Sequence, residues 1–515
     1  MRRAGTTPVI IGVGQSVDRI GAPDYHAWSA ADLAAAAARA AITDSMARCD
    51  LAPRIEAIVT TRTFEDSGLE QPIFGRSDNF PRSIAARLGI KPRSAFWDEG
   101  GGQSPQDLVN EFCERVASGE FDLVLLCGAE AISTVRQAAR EGRTLDFSES
   151  PGGEVEDRGS NLRAFQDPLA ERHGVVDAPL GYALAENARR AALRMTQADY
   201  AEHMGRLFAP LAAIAHTNPV SAWDVPNYSA SDLITVTPGN RWIADPYPLR
   251  LVARDQVNLG AAVVIASQRV AEGLGVAPDR RVYLHGYARA TEKPLLSRPD
   301  LGASPAARAA SRAALTRAGL VPNDVAAFDF YSCFPIAVSN VAVDEFGLSD
   351  DDPRKLSVTG GLPFFGGPGN NFSMHAIAAL IPILRNKPGK AGFVGANGGF
   401  LSKYSAGVYS TIPRPWRNWS STALQAELDA VPAQPLLDGY DGTGTVETAS
   451  VLHVRGVTEM AVIIGRTAQG LRFIARSRPG DDTTIATAHE NDVLGWSVTV
   501  ANSEDGVNLF SFGTR

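Results

Sequence analysis

The chain has 515 residues, 44% of them apolar, and a formal net charge of −8 from 49 Lys and Arg against 57 Asp and Glu. At roughly 150 residues per domain this is about three domains with ample apolar material for buried cores. The acidic balance and the lack of any Lys/Arg run argue against nucleic acid or an anionic membrane as partner. No apolar stretch reaches transmembrane length, and the start "MRRAGTTPVIIGVGQS" is too short in its apolar run for a signal peptide, so a cytoplasmic location is expected. The cysteines at 49, 113, 127 and 333 form no CxxC pair, which predicts reduced thiols, with Cys113 and Cys127 in the core.

In chain order, "TPVIIGVG", "EAIVTTRT", "FDLVLLCGAE" and "AAVVIASQRV" read as buried strands alternating with helices such as "AADLAAAAARAAITDSMA", the pattern of an α/β sheet. "WDEGGGQSPQDLVNEFCERVASGE" reads as a three-glycine corner opening an amphipathic helix, with Leu108, Val109, Phe112, Cys113 and Val116 at helical spacing. Such a corner suits an anion or a nucleophile, yet no Cys, Ser or Lys stands on it. About 120 residues, near 134–254, then separate "GAEAIST" from the last strand of this half, too long for a plain connection and expected to be a functional insertion over the active face.

After residue 276 the theme repeats in "RVYLHGYARA", "VAAFDFYSCF", "AGFVGANGGF" and "SAGVYSTIP", with "SPAARAASRAALTRAGL" and "FSMHAIAALIPILRN" as helices. The expected division is a first half at 1–275, a second at 276–414, and a different tail at 415–515. In the tail five short runs, "TGTVETASVLHVR", "EMAVIIGRT", "LRFIARS", "LGWSVTVA" and "NLFSFG", alternate in the β manner between turns and suit an all-β, OB-like barrel. It could be a plain appendage or a binding module, including one that recruits a protein partner.

Four stretches carry a resemblance. "GGGQSPQDLVNEFCERVASGEFDLVLLCGAEAIS" is similar to the thiolase segment in which a nucleophilic Cys opens a buried helix. "DFYSCFPIAVSNVAVDEFGL" resembles the "HDCFxxNEL…EALGL" segment of sterol-carrier-type thiolases, "TGGLPFFGGPGNN" their "GGxxxxGHPxGAxG" loop, and "RWIADPYPLRLVARDQVNLGAAVVIAS" their "PVADPL…DGAAA" strand. The similarity runs over about residues 5–412. It implies a duplicated, five-layered αβαβα thiolase-like fold and an acyl-CoA thioester as substrate, with no separate cofactor. Whether the chain is a monomer or a homodimer stays open.

The departures from the thiolase pattern are as informative. The nucleophile position falls on Gly102, or Gly101 if the corner shifts by one. The "GHP" histidine falls on Gly367, the second family Cys near Ala396, and the "HDCF" histidine on Tyr331. Only Cys333 keeps a family thiol. Backbone N–H groups at Gly101, Gly102 and Gln103 could still stabilise a thioester oxyanion. Catalytic candidates are Cys333, Tyr331 and His375, each with a packing alternative; Asn371 and Asn397 are candidates for orienting substrate, with turn chemistry as the alternative. Glu99 reads better as a structural pair than as a base. The other histidines, at 26, 173, 203, 216, 285, 453 and 489, have no HxH or HExxH spacing, so no metal site is expected.

Three functions follow from these readings. The first is acyl transfer on acyl-CoA without the usual cysteine, using Cys333 and His375. The second is retro-aldol or retro-Claisen carbon–carbon cleavage with Tyr331 as acid/base. The third is acyl-CoA or lipid binding without catalysis. An enzyme is favoured over a binder, because a binder has no need of acid/base side chains in one pocket.

Overall fold

In the computed structural model, which describes residues 5–160 and 167–513, the run Val9–Val13 lies in strand β1 (Pro8–Val17) and feeds two cores at once. Val9 and Ile11 join an outer cluster with helix α1 (Ala30–Asp44) and Ile10 a central one, as the two-residue period of a strand requires; an irregularity between Ile10 and Gly12 then brings Val13 onto the central side as well. The first half adds β2 (Ala57–Thr60), β3 (Ser94–Trp97), helix α2 (Ser104–Ser118), β4 (Leu123–Glu130) and β5 (Leu259–Ser267). Its sheet runs β1-β5-β4-β2-β3, with a two-residue strand beyond β3. The short run "SAFW" of β3 does not announce itself as a strand in the sequence. Arg2 and Arg3, and residues 161–166 of the insertion, lie outside the described residues.

Between β4 and β5 the insertion forms several helices, chiefly α3 (Ala178–Ala192) and α4 (Gln197–Thr217). The second half follows with β6 (Tyr283–Thr291), α5 (Pro305–Ala318), β7 (Val325–Asp329), α6 (Phe372–Asn386), β8 (Ala391–Gly398) and β9 (Lys403–Ser410). Its sheet order, β6-β9-β8-β7, repeats β1-β5-β4-β2 in both sequence and strand direction. The duplication extends to the glycines. A Cβ on Gly14 of β1 would lie 2.2 Å from the Ala37 carbonyl oxygen, and one on Gly286 of β6 would lie 2.2 Å from that of Ala314. In each half a bare strand backbone lets an alanine-rich helix lie directly on it. Helices α2 and α6 pack between the two sheets, with α1 and α5 outside, giving the five expected layers.

The tail closes into a barrel of five strands: β10 (Gly442–Val454), β11 (Val457–Arg466), β12 (Arg472–Ser477), β13 (Ser497–Asn502) and β14 (Asn508–Phe512). β10 pairs with both β11 and β13, β12 runs parallel to β14, and helix α7 (Asp482–Glu490) joins β12 to β13. That is the OB-like arrangement. The barrel's strands begin only at 442; residues before it hold a helix, Thr422–Asp429, whose neighbour-side Gln425 bonds the backbone of Thr291. The barrel is joined closely to the body. Val462, Ile464 and Ile474 belong to the core of the second half, and Ala244 at the end of the insertion pairs with Leu452 of β10.

Candidate active site

The three glycines turn the chain from β3 into α2. Gly101 takes φ +137°, a conformation reserved in practice for glycine, and the helix then starts on Ser104 with its N-terminus buried. Asp98, just before the corner, is buried and accepts from the Ser104 hydroxyl and Arg158; burial raises its carboxyl to about 6. Glu99 pairs with Lys403 at 2.7 Å, the structural role expected of it. Of the three N–H groups put forward for an oxyanion, that of Gly101 is already used, donating to Asn370 Oδ1 at 2.8 Å. Those of Gly102 and Gln103 meet no acceptor among the described residues. The cradle is therefore two donors at a helix N-terminus rather than three.

Tyr331 stands opposite this cradle. A Cβ on Gly102 would lie 2.1 Å from the Tyr331 hydroxyl oxygen and 2.5 Å from the Asn397 carbonyl oxygen. The phenol thus fills the place where a side chain at position 102 would begin, and a cysteine there would collide with it. The ring packs edge-on against Phe372, is 7% exposed, and its hydroxyl has no hydrogen-bond partner among the described residues. Burial pushes its ionisation well above the usual range of a phenol.

Asn397 and Cys333 complete this group. Asn397 Nδ2 donates to the Tyr182 hydroxyl at 2.7 Å and approaches Cys333 Sγ at 3.8 Å, while its Oδ1 is buried and unpartnered. Gln103 Oε1 is also buried and unpartnered, and a Cβ on Gly101 or Gly398 would strike it at 2.2 or 1.9 Å. Two buried acceptors without donors beside a free phenol are places for a ligand's polar groups. Burial raises the Cys333 thiol to about 12, so it is held as a neutral thiol.

His375 is not part of the group. It is fully buried in α6, packs on Phe365, and bonds Gln15 of β1 through Nδ1 at 2.7 Å, while Nε2 has no partner. The pairing of Cys333 with His375 is not formed, because α6 turns this ring toward the first sheet. Burial lowers its imidazole to about 3. Asn371 is likewise spent on the scaffold: Nδ2 donates to the Gly128 carbonyl and Oδ1 accepts from Thr61. At Gly367, the position of the missing histidine, the N–H donates to the Arg254 carbonyl at 2.7 Å. Ala396 is buried. Cys113 and Cys127 are core residues, as expected.

Tyr182 of α3 belongs to the site although nothing in "PLGYALAEN" marks it. Its hydroxyl donates to the Gly399 carbonyl at 2.7 Å, accepts from Asn397, and its ring stacks on Phe334 at 4.3 Å. The insertion therefore does reach the face where both halves present their loops. Four residues later on the same helix, the buried Glu186 is held by Tyr200, Tyr247 and the Ile336 N–H, which fixes α3 against the chain that carries Tyr331 and Cys333.

Residues 423–505 match the family model described as the thiolase-like protein type 1 additional C-terminal domain. The fold is shared with a human mitochondrial 3-ketoacyl-CoA thiolase (16% identity, 80% of this chain and 100% of that one, TM-score 0.53). It is shared also with an Ltp2-ChsH2(DUF35) aldolase (20% identity, 79% of this chain and 98% of that one, TM-score 0.56). No curated protein is a significant match. A monomeric SCP2-thiolase like protein type 1 from Mycobacterium smegmatis is 41% identical over 99% of this chain and 100% of its own, with a TM-score of 0.85. By that identity over the full length of both, the chain belongs to the SCP2-thiolase-like proteins of type 1, thiolase-fold proteins with an added C-terminal domain.

Proposed function

We propose that this protein acts on acyl-CoA thioesters without an acyl-enzyme, cleaving or forming a carbon–carbon bond next to the thioester with Tyr331 as acid/base. The observation that carries this reading is the Tyr331 hydroxyl standing where a side chain on Gly102 would begin. Ping-pong acyl transfer needs a nucleophile at that point, and none is there. Acyl transfer through Cys333 and His375 has no support in the geometry, since His375 bonds Gln15 and Cys333 is a neutral, buried thiol. That an aldolase is among the structures sharing this fold is consistent with the choice.

The substrate of this step is a β-hydroxyacyl thioester. The Tyr331 phenolate takes the hydroxyl proton, the Cα–Cβ bond breaks, and its electron pair becomes the thioester enolate while Cβ leaves as a carbonyl. The Gly102 and Gln103 N–H groups stabilise the enolate oxygen, a contribution of about 3–4 kcal/mol per donor in sites of this kind. The phenol then returns its proton to Cα, releasing the shortened acyl-CoA. Incubation with a panel of β-hydroxyacyl-CoAs, followed by mass spectrometry, should show a carbonyl product and a shorter acyl-CoA. Binding by calorimetry with no product from any of them would leave a non-catalytic acyl-CoA binder instead.

A further inference from the structure

Away from this site, the fold collects three dispersed residues that no sequence spacing connects. Asp245 follows the short strand Trp242–Ala244 that returns the insertion to the body, His453 lies on β10, and His489 lies in the last turn of α7. Asp245 Oδ1 is 2.8 Å from His453 Nε2, and Asp245 Oδ2 is 2.7 Å from His489 Nδ1. All three donor atoms lie within 4.8 Å of one another. The Trp242 ring stacks on His453 at 6.1 Å and meets His489 edge-on at 6.0 Å, walling one side. Trp242, Asp245 and His489 also border a cavity of about 280 Å³, together with Asn187, Arg190 and Asp492.

We propose that Asp245, His453 and His489 bind a divalent transition metal of the zinc type, with its fourth position open to water in this cavity. Two imidazole nitrogens and one carboxylate oxygen are the donor set of a three-ligand zinc site with one free position. Tetrahedral ligands at about 2.0–2.1 Å from zinc stand about 3.3 Å apart, so with a single Asp245 oxygen as ligand the three donor atoms, now within 4.8 Å of one another, come to that spacing by shifts on the order of an ångström. The proton that a coordinating nitrogen donates to Asp245 leaves it on binding: a neutral ring re-forms with its one proton on the other nitrogen, and a ring protonated on both releases one proton to solvent. Asp245 itself is anchored from behind, its carbonyl accepting from Asn187 and Ser450 and its N–H donating to Val451. Since the ligands come from the insertion, a barrel strand and a barrel helix, the ion would tie the barrel to the body.

The test uses the full chain, stripped with chelator and titrated with Zn²⁺ by calorimetry and with Co²⁺ by absorption. The expected result is one ion per chain, a tetrahedral Co²⁺ spectrum displaced by Zn²⁺, and a raised melting midpoint with Zn²⁺. In His489→Gln and His453→Gln, which keep a hydrogen bond to Asp245, affinity should fall at least about 100-fold, the upper end of what loss of a mere outer partner costs a metal site. Wild-type protein that takes up no stoichiometric ion, or variants that bind as wild type does, would overturn the proposal. If the variants fail to fold, the wild-type Co²⁺ spectrum decides, an octahedral or absent signal counting against it.

Discussion

Gly102 and Tyr331 form one unit, and each constrains what the other can become. Placing even a methyl group on Gly102 sets a carbon 2.1 Å from the phenol oxygen, so Gly102→Ala should cost about 1–3 kcal/mol from overpacking and displace Tyr331. Denaturant midpoints measure the first effect and turnover the second. Gly102→Cys, which restores the family's residue type, should not restore an acyl-enzyme, because the added thiol has no room beside Tyr331. The pH dependence follows from the same phenol. Burial raises its ionisation, so the phenolate that starts the reaction is scarce at neutral pH and increases about tenfold per pH unit; the rate should climb in parallel through pH 7–9 in wild type. His375 sets a different pH dependence, on stability. Its folded value is lowered to about 3, below the free imidazole, so the unfolded chain binds the extra proton first. The stabilisation is full above about pH 6.5 and is lost as pH falls toward 3, at up to about 1.4 kcal/mol per unit. His375→Gln should flatten that slope in urea titrations between pH 7 and 4; an unchanged slope would show that other groups carry it.

At the level of elements, most strands and helices of both halves and all five barrel strands are legible in the sequence, as alternating or continuous apolar runs; even the four-residue β2 shows as the aliphatic run of "EAIVTTRT". β3, equally short, is not, since "SAFW" holds no aliphatic β-branched residue and no alternation. The corner at Gly100–Gly102 was legible as a helix start, and the absence of a nucleophile could be read from it. What could not be read was the partner of each residue. Tyr331 was visible only as a residue replacing a histidine; that its hydroxyl would meet Gly102 depends on how the two halves face one another. Asn371 and His375, promising by position, are consumed by the scaffold, and Tyr182 arrives from an insertion with no motif. The zinc-type cluster is hidden for the same reason: His453 and His489 meet through the barrel's own fold, and barrel docking brings Asp245 to them. The barrel's attachment predicts a stability effect. Arg472 is fully buried and bonds Glu447 and the carbonyls of Leu296 and Pro299, so Arg472→Met should destabilise the chain by about 3–5 kcal/mol, which thermal or denaturant melting would measure.

Across the whole molecule, duplication explains the site. Two copies of one α/β unit place α2 and α6 side by side between the sheets, and the loops at one end of that layer bring residues from both halves, 102 from the first and 331, 333 and 397 from the second, to one point. The insertion adds Tyr182 to that point, and the barrel shares the second half's core through Val462, Ile464 and Ile474. A chain ending at Pro413 should therefore expose apolar surface and lose solubility, whereas a monomeric, soluble product of that truncation would show the barrel to be a separable appendage. The central claim is that Tyr331, and neither a cysteine nor His375, carries the chemistry. The most direct measurement is turnover of one β-hydroxyacyl-CoA by Tyr331→Phe, Cys333→Ala and wild type, with the intact mass of each chain recorded during the reaction. Tyr331→Phe should bind substrate as wild type does but turn over about 10²–10⁴-fold more slowly, Cys333→Ala should stay within a few-fold of wild type, and no chain should gain mass. Full activity in Tyr331→Phe, or an acyl adduct on Cys333, would contradict it.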